Sequence, residues 1–384
     1  MRRHGDRFVE RHRAWVSGQH RRVLRAIAQC RTAALGGHRD RCDPCAHPAL
    51  SYNSCRDRHC PKCLTAARNA WVVAREQELL PVGYVHLVFT MPEPLARLAL
   101  VNKRVVYDRL FQAAAETLLQ VARNPKRLGG AVGGLMVLHT WGQRLQHHPH
   151  VHCVVPMGGL APDGTRWIHA RPRFVLPIPV LRKLFRGKLL AGLATAFREG
   201  RLDFPASLAP LKPEPAFRAF LRSRYRQTWV VYVKPPFGSP DHVLQYLTRY
   251  THRVAISNHR LVDVTNDAVS FRWKDYRHGS QVRTLTLAAE EFLRRFLLHV
   301  LPKRFVRIRD FGFLASRCRT PQLAQCRQAL AVAPAPPLEP TPPARPRATW
   351  PCPRCGGAMR VIERLTARQL RLATLLADIL HDTS

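Results

Sequence analysis

The sequence has few acidic residues and no long apolar segment. Of its 384 residues, 25 are Asp or Glu whereas 62 are Lys or Arg, so the formal net charge is +37. A membrane-spanning helix needs about 18 or more consecutive apolar residues, and no such run occurs. The first residues, Met1 to Arg7, lack the apolar core of a secretory signal peptide. These absences argue against a secreted or membrane-embedded protein and predict a cytoplasmic one.

The excess of positive charge indicates a polyanionic partner. A sequence pI near 11.3 means that the folded chain repels itself unless its charge is neutralised. Nucleic acid is the expected partner, because each phosphate that the protein neutralises releases counterions. A chain of 384 residues also exceeds one compact core of ordinary size, so we expect roughly two or three domains.

Cysteine spacing predicts a structural zinc site near the N-terminus. Eleven cysteines without a secretion signal favour metal thiolates over disulfides. Two C-x2-C pairs, Cys42 with Cys45 and Cys60 with Cys63, have the spacing at which each pair supplies half of a thiolate tetrahedron. We therefore predict that these four residues bind Zn²⁺ and hold together a small segment with little apolar content. Nearby residues leave open a second metal or a mixed ligand set: Cys30, His38, Cys55 and His59.

A further C-x2-C pair lies close to the C-terminus. Residues 332–351 are rich in Pro and Ala, which predicts a stiff, extended linker. Cys352 and Cys355 follow it and form a possible additional zinc half-site. The sequence leaves the partners of this half-site open among Cys318, Cys326 and His381.

Several histidines lie between residues 147 and 152, at the start of an apolar segment whose pattern predicts a β-strand. Successive side chains of a strand point to opposite faces, so His150 and His152 would lie side by side, away from Val151 and its apolar neighbours. Two buried imidazoles need partners for their ring nitrogens, and a divalent metal is one. We predict that they bind Mg²⁺ or Mn²⁺, completed by water and substrate. The third ligand would be His148 or a more distant polar residue.

Hydrophobic periodicity predicts an α+β domain with an antiparallel sheet. The predicted strands cover residues 84–92, 135–141, 150–156 and 229–235, with three further strand-like runs between 261 and 287. Helices are expected over 94–123, 241–252 and 288–300. Residues 158–226 have the character of an insertion that contains two helices.

Two tyrosines on the predicted helix 241–252 are candidate nucleophiles. Tyr246 and Tyr250 are four residues apart, which places both on one helix face. A tyrosine that attacks a DNA phosphodiester needs a poised hydroxyl, a cation at the phosphate and a channel for the strand. The cationic residues expected to contact DNA are Arg249, His252 and Arg253 beside the tyrosines, and Arg56 and Arg58 in the cysteine-rich segment.

These motifs together resemble a known family. His150-Val151-His152 resembles the His-hydrophobe-His motif of HUH single-strand endonucleases, and Tyr246-x3-Tyr250 resembles their two-tyrosine motif. With the N-terminal zinc motif, and with Phe89-Thr90-Met91-Pro92 on a preceding strand, the chain is similar to rolling-circle transposases of the insertion sequence 91 family. The likeness extends over nearly all of the chain to about residue 320.

The resemblance implies a fold, a domain order and a reaction. An HUH-like antiparallel sheet with flanking helices would occupy 81–315, after a helical and zinc-binding DNA-recognition module at 1–80 and before a tail and linker at 316–351 and the C-terminal segment 352–384. In a bacterial, nucleoid-associated setting, a tyrosine would cut single-stranded DNA at an element end and form a 5′-phosphotyrosine. Because the phosphotyrosine ester conserves the energy of the cleaved phosphodiester bond, the reaction would need no ATP. Consistently, the sequence contains no G-x4-G-K-[ST] loop of the kind that binds ATP.

Two other functions fit part of the sequence. A non-catalytic, zinc-dependent DNA-binding protein derived from a transposase would share the charge and the cysteines, and would differ in never joining Tyr246 or Tyr250 to DNA. A zinc-ribbon RNA-processing factor would leave the histidine and tyrosine motifs unexplained.

Overall fold

The computed structural model of the protein describes residues 1–63, 71–170, 177–234, 243, 255–276, 278–331 and 350–372. Its strands are β1 (Gly37–Cys42), β2 (Pro48–Tyr52), β3 (Tyr84–Thr90), β4 (Gly133–Trp141), β5 (His147–Pro156), β6 (Gly158–Leu160), β7 (Trp167–His169), β8 (Val230–Val233), β9 (Leu261–Val264), β10 (Ala268–Asp275), β11 (Gln281–Ala288), β12 (Ile308–Gly312) and β13 (Met359–Leu365). Its helices are α1 (Gly5–Arg11), α2 (Gly18–Gln29), α3 (Glu93–Val101), α4 (Lys103–Arg123), α5 (Ile178–Arg198), α6 (Glu214–Arg224), α7 (Ala289–Leu298) and α8 (Arg319–Ala329). A search of these residues for a helix of the length and hydropathy that crosses a bilayer finds none.

A five-stranded antiparallel sheet, in the order β12-β4-β5-β3-β8, is the frame of the molecule. Its strands are rich in Val, Leu, Phe and Tyr, residues that pack well on a pleated surface. The predicted α+β class with an antiparallel sheet is confirmed. The family resemblance also implies that the Phe89-Thr90 strand lies beside the histidine strand, and the structure confirms this, with Thr90 opposite His150.

One face of this sheet is apolar and packs against helices. Leu87, Phe89, Val151 and Cys153 alternate along β3 and β5 and are fully buried in the main core. The apolar stripes of α4 and α5 cover them. Each such buried side chain contributes about 1.5–3 kcal/mol through the hydrophobic effect. The alternation leaves the histidines of β5 on the opposite face.

The helix predicted over 94–123 is two helices, α3 and α4, which meet at Asn102. The backbone of Asn102 leaves helical geometry at φ −104° and ψ 40°. Its side-chain amide donates to the Asp203 carbonyl at 3.0 Å, and its side-chain oxygen accepts from the Asp203 N–H at 2.7 Å. These bonds to a residue about a hundred positions away explain why local periodicity does not reveal the break.

The region predicted as an insertion, 158–226, contributes to the main core. Leu181, Phe185 and Leu189 of α5 are fully buried in it, and so is Phe217 of α6 at 2% exposure. Helix α5 packs along α4. The two helices are therefore integral to this domain, while the domain boundaries drawn from the sequence stay a prediction.

The N-terminal helices α1 and α2 share a second core with β10 and α7. Phe8 and Val23 are fully buried there together with Phe271. Helix α2 begins with a capping box, in which the Ser17 hydroxyl accepts from the His20 N–H and the His20 ring accepts from the Ser17 N–H. The first thirty or so residues thus pack against the region 255–300 of the chain.

A three-stranded sheet, in the order β13-β1-β2, joins the two ends of the chain. Gly37 lies opposite Leu365, and Cys42 lies opposite Met359. Within the predicted C-terminal segment 352–384, β13 completes the N-terminal sheet, so the described part of this segment packs with the N-terminal module. The Pro-rich residues 332–349 and His381 lie outside the described residues.

Candidate functional site

Histidines from three neighbouring strands occupy the face of the main sheet that is opposite the α4–α5 core. His150 and His152 point to this face, which confirms the predicted alternation along β5. On the neighbouring strand β4, His139 is paired directly with His150. On the other side, His86 of β3 reaches His152. β5 lies between β4 and β3, so the backbone of the histidine pair is hydrogen-bonded along both edges.

His139, His150 and His152 are arranged as a set of metal ligands. One ring nitrogen from each lies within 4.8 Å of the others, a separation that a single ion can bridge. The ring centroids of His139 and His152 are 4.3 Å apart, and those of His150 and His152 are 4.9 Å apart. Sequence reasoning missed His139. On its own strand His139 points to the same face as Leu135 and Val137, and the pairing of β4 with β5 brings it beside His150.

His148, the predicted third ligand, is placed differently. It precedes the pair on β5, and its backbone carbonyl accepts a hydrogen bond of 2.7 Å from Nδ1 of His150. This bond fixes the orientation of the His150 ring and leaves Nε2 as the nitrogen that could bind a metal. His148 thus contacts His150 through its main chain, and the group of three that could hold a metal contains His139 and not His148.

Burial keeps the rings of His150 and His152 neutral at physiological pH. Burial, and secondarily the neighbouring His148, lowers the pKa of His150 to about 4. Burial, followed by the charges of His139, His150 and His86, holds the pKa of His152 well below its usual range. The imidazole binds metals in its neutral form. The donors are thus ready for a divalent cation without first losing a proton.

Eight of the cysteines form two separate clusters, and the predicted grouping is wrong. Cys60 and Cys63 lie with Cys30 and Cys55, and the four Sγ atoms are within 4.8 Å of one another. The Sγ atom of Cys63 is 3.4 Å from that of Cys30 and 3.5 Å from that of Cys55. Cys30 follows the last residue of α2. That helix packs in the second core and brings Cys30 to the cluster, so Cys30 and Cys55, which the sequence left open as additional ligands, both lie in it.

The other predicted pair is in the second cluster. Cys42 and Cys45 lie with Cys352 and Cys355, about three hundred residues away in sequence. The antiparallel pairing of β1 with β13 brings these pairs together. The possible C-terminal half-site therefore has its partners in the N-terminal module, and neither Cys318 nor Cys326 belongs to it: the Cys318 Sγ atom faces the Gly312 carbonyl.

Comparisons with known proteins identify the family of the chain. A family model described as "Transposase zinc-binding domain" matches residues 1–91, and one described as "Putative transposase" matches residues 133–321. The chain is 53% identical over 337 residues to "Putative transposase y4qJ" of Sinorhizobium fredii (strain NBRC 101917 / NGR234), covering 88% of this chain and 84% of that protein. It is 32% identical over 311 residues to the "Transposase for insertion sequence element IS801" of Pseudomonas savastanoi pv. phaseolicola, covering 79% and 72% of the two chains. The chain belongs to the insertion sequence 91 family of transposases.

A solved structure, the conjugative relaxase TrwC in complex with mutant OriT DNA, is a more distant match to this transposase. It aligns with 29% of this chain and 44% of its own, at 18% identity and a TM-score of 0.23. The zinc-binding description of residues 1–91 agrees with the Cys30–Cys55–Cys60–Cys63 cluster, which lies wholly inside that range.

His59 and Arg58, two further candidates, make internal contacts in the transposase. His59 was a possible zinc ligand, but its Nδ1 donates to Asp57 at 2.9 Å and its Nε2 accepts from the Leu301 N–H at 3.2 Å. Arg58 was expected to contact DNA, yet it donates to the Phe305 carbonyl at 2.6 Å. Both side chains join the cysteine-rich segment to the region around 301–305. Arg56 is exposed, and its role in DNA binding stays a prediction.

The predicted nucleophiles lie outside the described residues. These are Tyr246 and Tyr250, together with Arg249, His252 and Arg253. Within the same stretch of chain, Val243 is described and fully buried. It packs against Leu135, Val137 and Val154, which stand on the histidine face of the main sheet. The chain thus reaches this face three residues before Tyr246.

Proposed function

We propose that this transposase nicks and rejoins single-stranded DNA at the ends of its element through a 5′-phosphotyrosine intermediate, as in rolling-circle transposition at the bacterial nucleoid. The observation that carries the proposal is the trio His139, His150 and His152, whose ring nitrogens lie within 4.8 Å of one another on one face of the main sheet. The transposase family supplies the substrate class, which is DNA.

The histidine trio fits a catalytic Mg²⁺ or Mn²⁺ ion. Three protein nitrogens occupy half of an octahedral coordination sphere and leave positions for water and for phosphate oxygens. A cation bound there would polarise the scissile phosphate and neutralise charge that develops on its oxygens. The residues of the chain hold the three donors in place: the His148 carbonyl orients His150, and His86 orients His152.

The assigned nucleophiles are Tyr246 and Tyr250. The position of Val243 on the histidine face supports this assignment, because Tyr246 follows it by three residues. In the proposed step, a tyrosine oxygen forms a bond to phosphorus while the bond from phosphorus to the 3′-oxygen breaks. The 3′-oxygen leaves as a hydroxyl after gaining a proton. Rejoining is the reverse attack by a 3′-hydroxyl, which releases the tyrosine, so no nucleotide hydrolysis is required.

The charge of the chain supports a long contact with the DNA backbone. A net charge of +37 is far more than solubility needs, and each neutralised phosphate adds to the affinity through counterion release. Binding should therefore weaken steeply with salt. A non-catalytic DNA-binding descendant of a transposase would share this behaviour, so binding does not separate the two functions.

Covalent capture of DNA is the decisive experiment. The purified protein is incubated with 5′- and 3′-labelled single-stranded DNA carrying the element end, with Mg²⁺ or Mn²⁺, and any adduct is mapped by denaturing gel and mass spectrometry. We expect a protein–DNA ester at Tyr246 or Tyr250 and a free 3′-hydroxyl. Tyr225→Phe, at an exposed tyrosine of another region, is the matched control and should leave adduct formation unchanged.

The two single Phe variants separate the roles of the tyrosines. If both act, Tyr246→Phe and Tyr250→Phe should each retain a partial reaction, and the double variant should retain none. Complete loss in one variant with full activity in the other would indicate a single nucleophile. DNA binding without any adduct, with the correct end and either metal, would favour the non-catalytic function.

A further inference from the structure

The second cysteine cluster is built from two turns of the same design. In the first, the N–H of Ala46 donates to the Cys42 carbonyl at 3.0 Å, and Ala46 has φ +54°. In the second, the N–H of Gly356 donates to the Cys352 carbonyl at 2.9 Å, and Gly356 has φ +73°. In each turn the residue after the second cysteine adopts the left-handed conformation, so the two thiols of a pair point to the same side.

Amide groups in the C-terminal turn point at the sulfurs. The N–H of Arg354 lies 3.4 Å from the Cys352 Sγ atom, and the N–H of Gly357 lies 3.4 Å from the Cys355 Sγ atom. Such N–H groups stabilise thiolates, which are the form of cysteine that binds metals. A Cβ atom at Gly357 would come within 2.6 Å of Pro44, so the two turns are in tight contact.

The sulfur positions fit a tetrahedral metal. Four thiolates at about 2.3 Å from Zn²⁺ have sulfur–sulfur separations of about 3.8 Å. The Cys42 and Cys355 Sγ atoms are 3.4 Å apart, those of Cys45 and Cys352 are 3.7 Å apart, and all four are within 4.8 Å of one another. Each of these two close sulfur contacts joins a cysteine of one turn to a cysteine of the other, so both turns are needed to complete the set of four ligands.

We propose that Cys42, Cys45, Cys352 and Cys355 bind a second structural Zn²⁺ ion, which joins the C-terminal strand to the N-terminal sheet. The family comparison covers only half of this site: Cys42 and Cys45 lie within the matched range 1–91, whereas Cys352 and Cys355 follow both matched ranges, 1–91 and 133–321. It is distinct from the Cys30–Cys55–Cys60–Cys63 cluster, so the complete protein would hold two zinc ions.

The metal has a structural task here because the local core is small. Among the described residues, Cys42, Cys352 and Met359 are the buried members of this cluster, with Cys45, Ala49 and Trp350 packed against them. Two cross-strand ion pairs, between Arg39 and Glu363 and between Arg360 and Asp43, are largely exposed and contribute little. Metal binding is then the main source of stability for the β1–β13 pairing.

Zinc stoichiometry of the full chain tests the proposal. The wild-type protein should contain two Zn²⁺ per chain by inductively coupled plasma mass spectrometry. The double variant Cys352→Ser/Cys355→Ser should contain one, and so should Cys55→Ser/Cys60→Ser, which removes the other site. Cys318→Ser, at a cysteine outside both clusters, is the control and should retain two. A wild-type chain with one zinc, or a Cys352→Ser/Cys355→Ser chain with two, would overturn the proposal.

A second variant keeps the test decisive if the double variant fails to fold. Cys355→His preserves a zinc ligand and should retain two metals per chain. After substitution with Co²⁺, its thiolate charge-transfer absorption should fall by about one part in eight relative to wild type, since one of eight Co–S bonds is replaced, and its d–d bands should shift toward those of an S₃N site. An absorption spectrum identical to that of the wild type would show that Cys355 is not a ligand.

Discussion

His86 Nε2 lies 2.9 Å from His152 Nδ1, and the two rings are stacked at an interplanar angle of 9°. His86 belongs to β3 and His152 to β5, so the contact crosses the strand pair that carries the site. Burial, followed by the charge of Lys234, lowers the pKa of His86 to about 3, so its ring is neutral. The Nε2 atom of a neutral His86 can accept a hydrogen bond from the Nδ1–H of His152. That bond would direct Nε2 of His152 toward the proposed metal position.

Replacing His86 should weaken metal binding without removing a ligand. We expect His86→Ala to raise the dissociation constant for Mn²⁺ by about 10–100-fold, the usual effect of losing a group that orients a metal-binding histidine. His86→Gln, which keeps a hydrogen-bonding side chain, should recover part of the loss. Calorimetric titration with Mn²⁺ measures both. Unchanged Mn²⁺ affinity in His86→Ala would remove this positioning role.

The third ligand can be identified by comparing two histidines. His139→Ala should abolish metal-dependent nicking and reduce Mn²⁺ affinity beyond the range of about 100-fold expected for an outer group. His148→Ala should retain most activity, because its contribution is a backbone carbonyl. Nicking assays over a Mn²⁺ titration distinguish the two variants. The reverse order of effects would restore the prediction made from the sequence.

The stability of the protein should fall at acidic pH, partly through His299. Burial lowers the pKa of His299 to about 3, and its ring bonds to the Thr140 hydroxyl and the Leu145 carbonyl. Below about pH 6.5 the unfolded chain binds a proton that the folded ring does not, so the free energy of unfolding decreases as the pH falls. The loss is about 1.4 kcal/mol per pH unit for this group, down to the folded pKa.

His299→Gln isolates that contribution. Glutamine can donate to Leu145 and accept from Thr140, but it does not titrate. Urea unfolding between pH 7 and pH 4 should show a smaller slope with pH for His299→Gln than for the wild type. His169→Gln, at an exposed position on β7, is the control and should follow the wild type. Parallel slopes for all three proteins would contradict the prediction.

The main core depends on Phe185 of α5. Its ring centroid lies 4.9 Å from that of Phe89 on β3 and 5.5 Å from that of Trp229. Phe185→Ala should reduce the free energy of unfolding by about 3–5 kcal/mol, through lost burial and the cavity that remains. Val180→Ala, at a position on the same helix that is 37% exposed, should change it by less than about 0.5 kcal/mol. Similar losses in both variants would show that α5 is peripheral to the core.

Sequence periodicity predicted the parts of the site that lie within one strand. The alternation of His150 and His152 with Val151 needs only the period of a β-strand, and the structure has it. The family resemblance, rather than periodicity, predicted that the Phe89-Thr90 strand lies beside the histidine strand. His139 was missed because pairing between strands, rather than spacing along one strand, brings it to the pair.

Long-range contacts account for the errors in the cysteine grouping. Spacing favoured Cys42 with Cys60, which are close in sequence, whereas β-sheet pairing joins Cys42 to Cys355. Tertiary packing likewise places Cys30, because it follows helix α2, whose position is set by the second core. A local pattern identifies a half-site well, but which halves combine depends on the fold.

The pairing of β1 with β13 sets an order of events during synthesis. Cys45 and Cys352 are separated by 307 positions, and a ribosome adding about 5–20 residues per second needs roughly 15–60 s to cover that distance. Until then β1 has only β2 beside it, and an isolated two-stranded hairpin is marginally stable. A prematurely terminated chain would never acquire the third strand. The N-terminal sheet thus gains its third strand only after the segment that contains β13 has been translated.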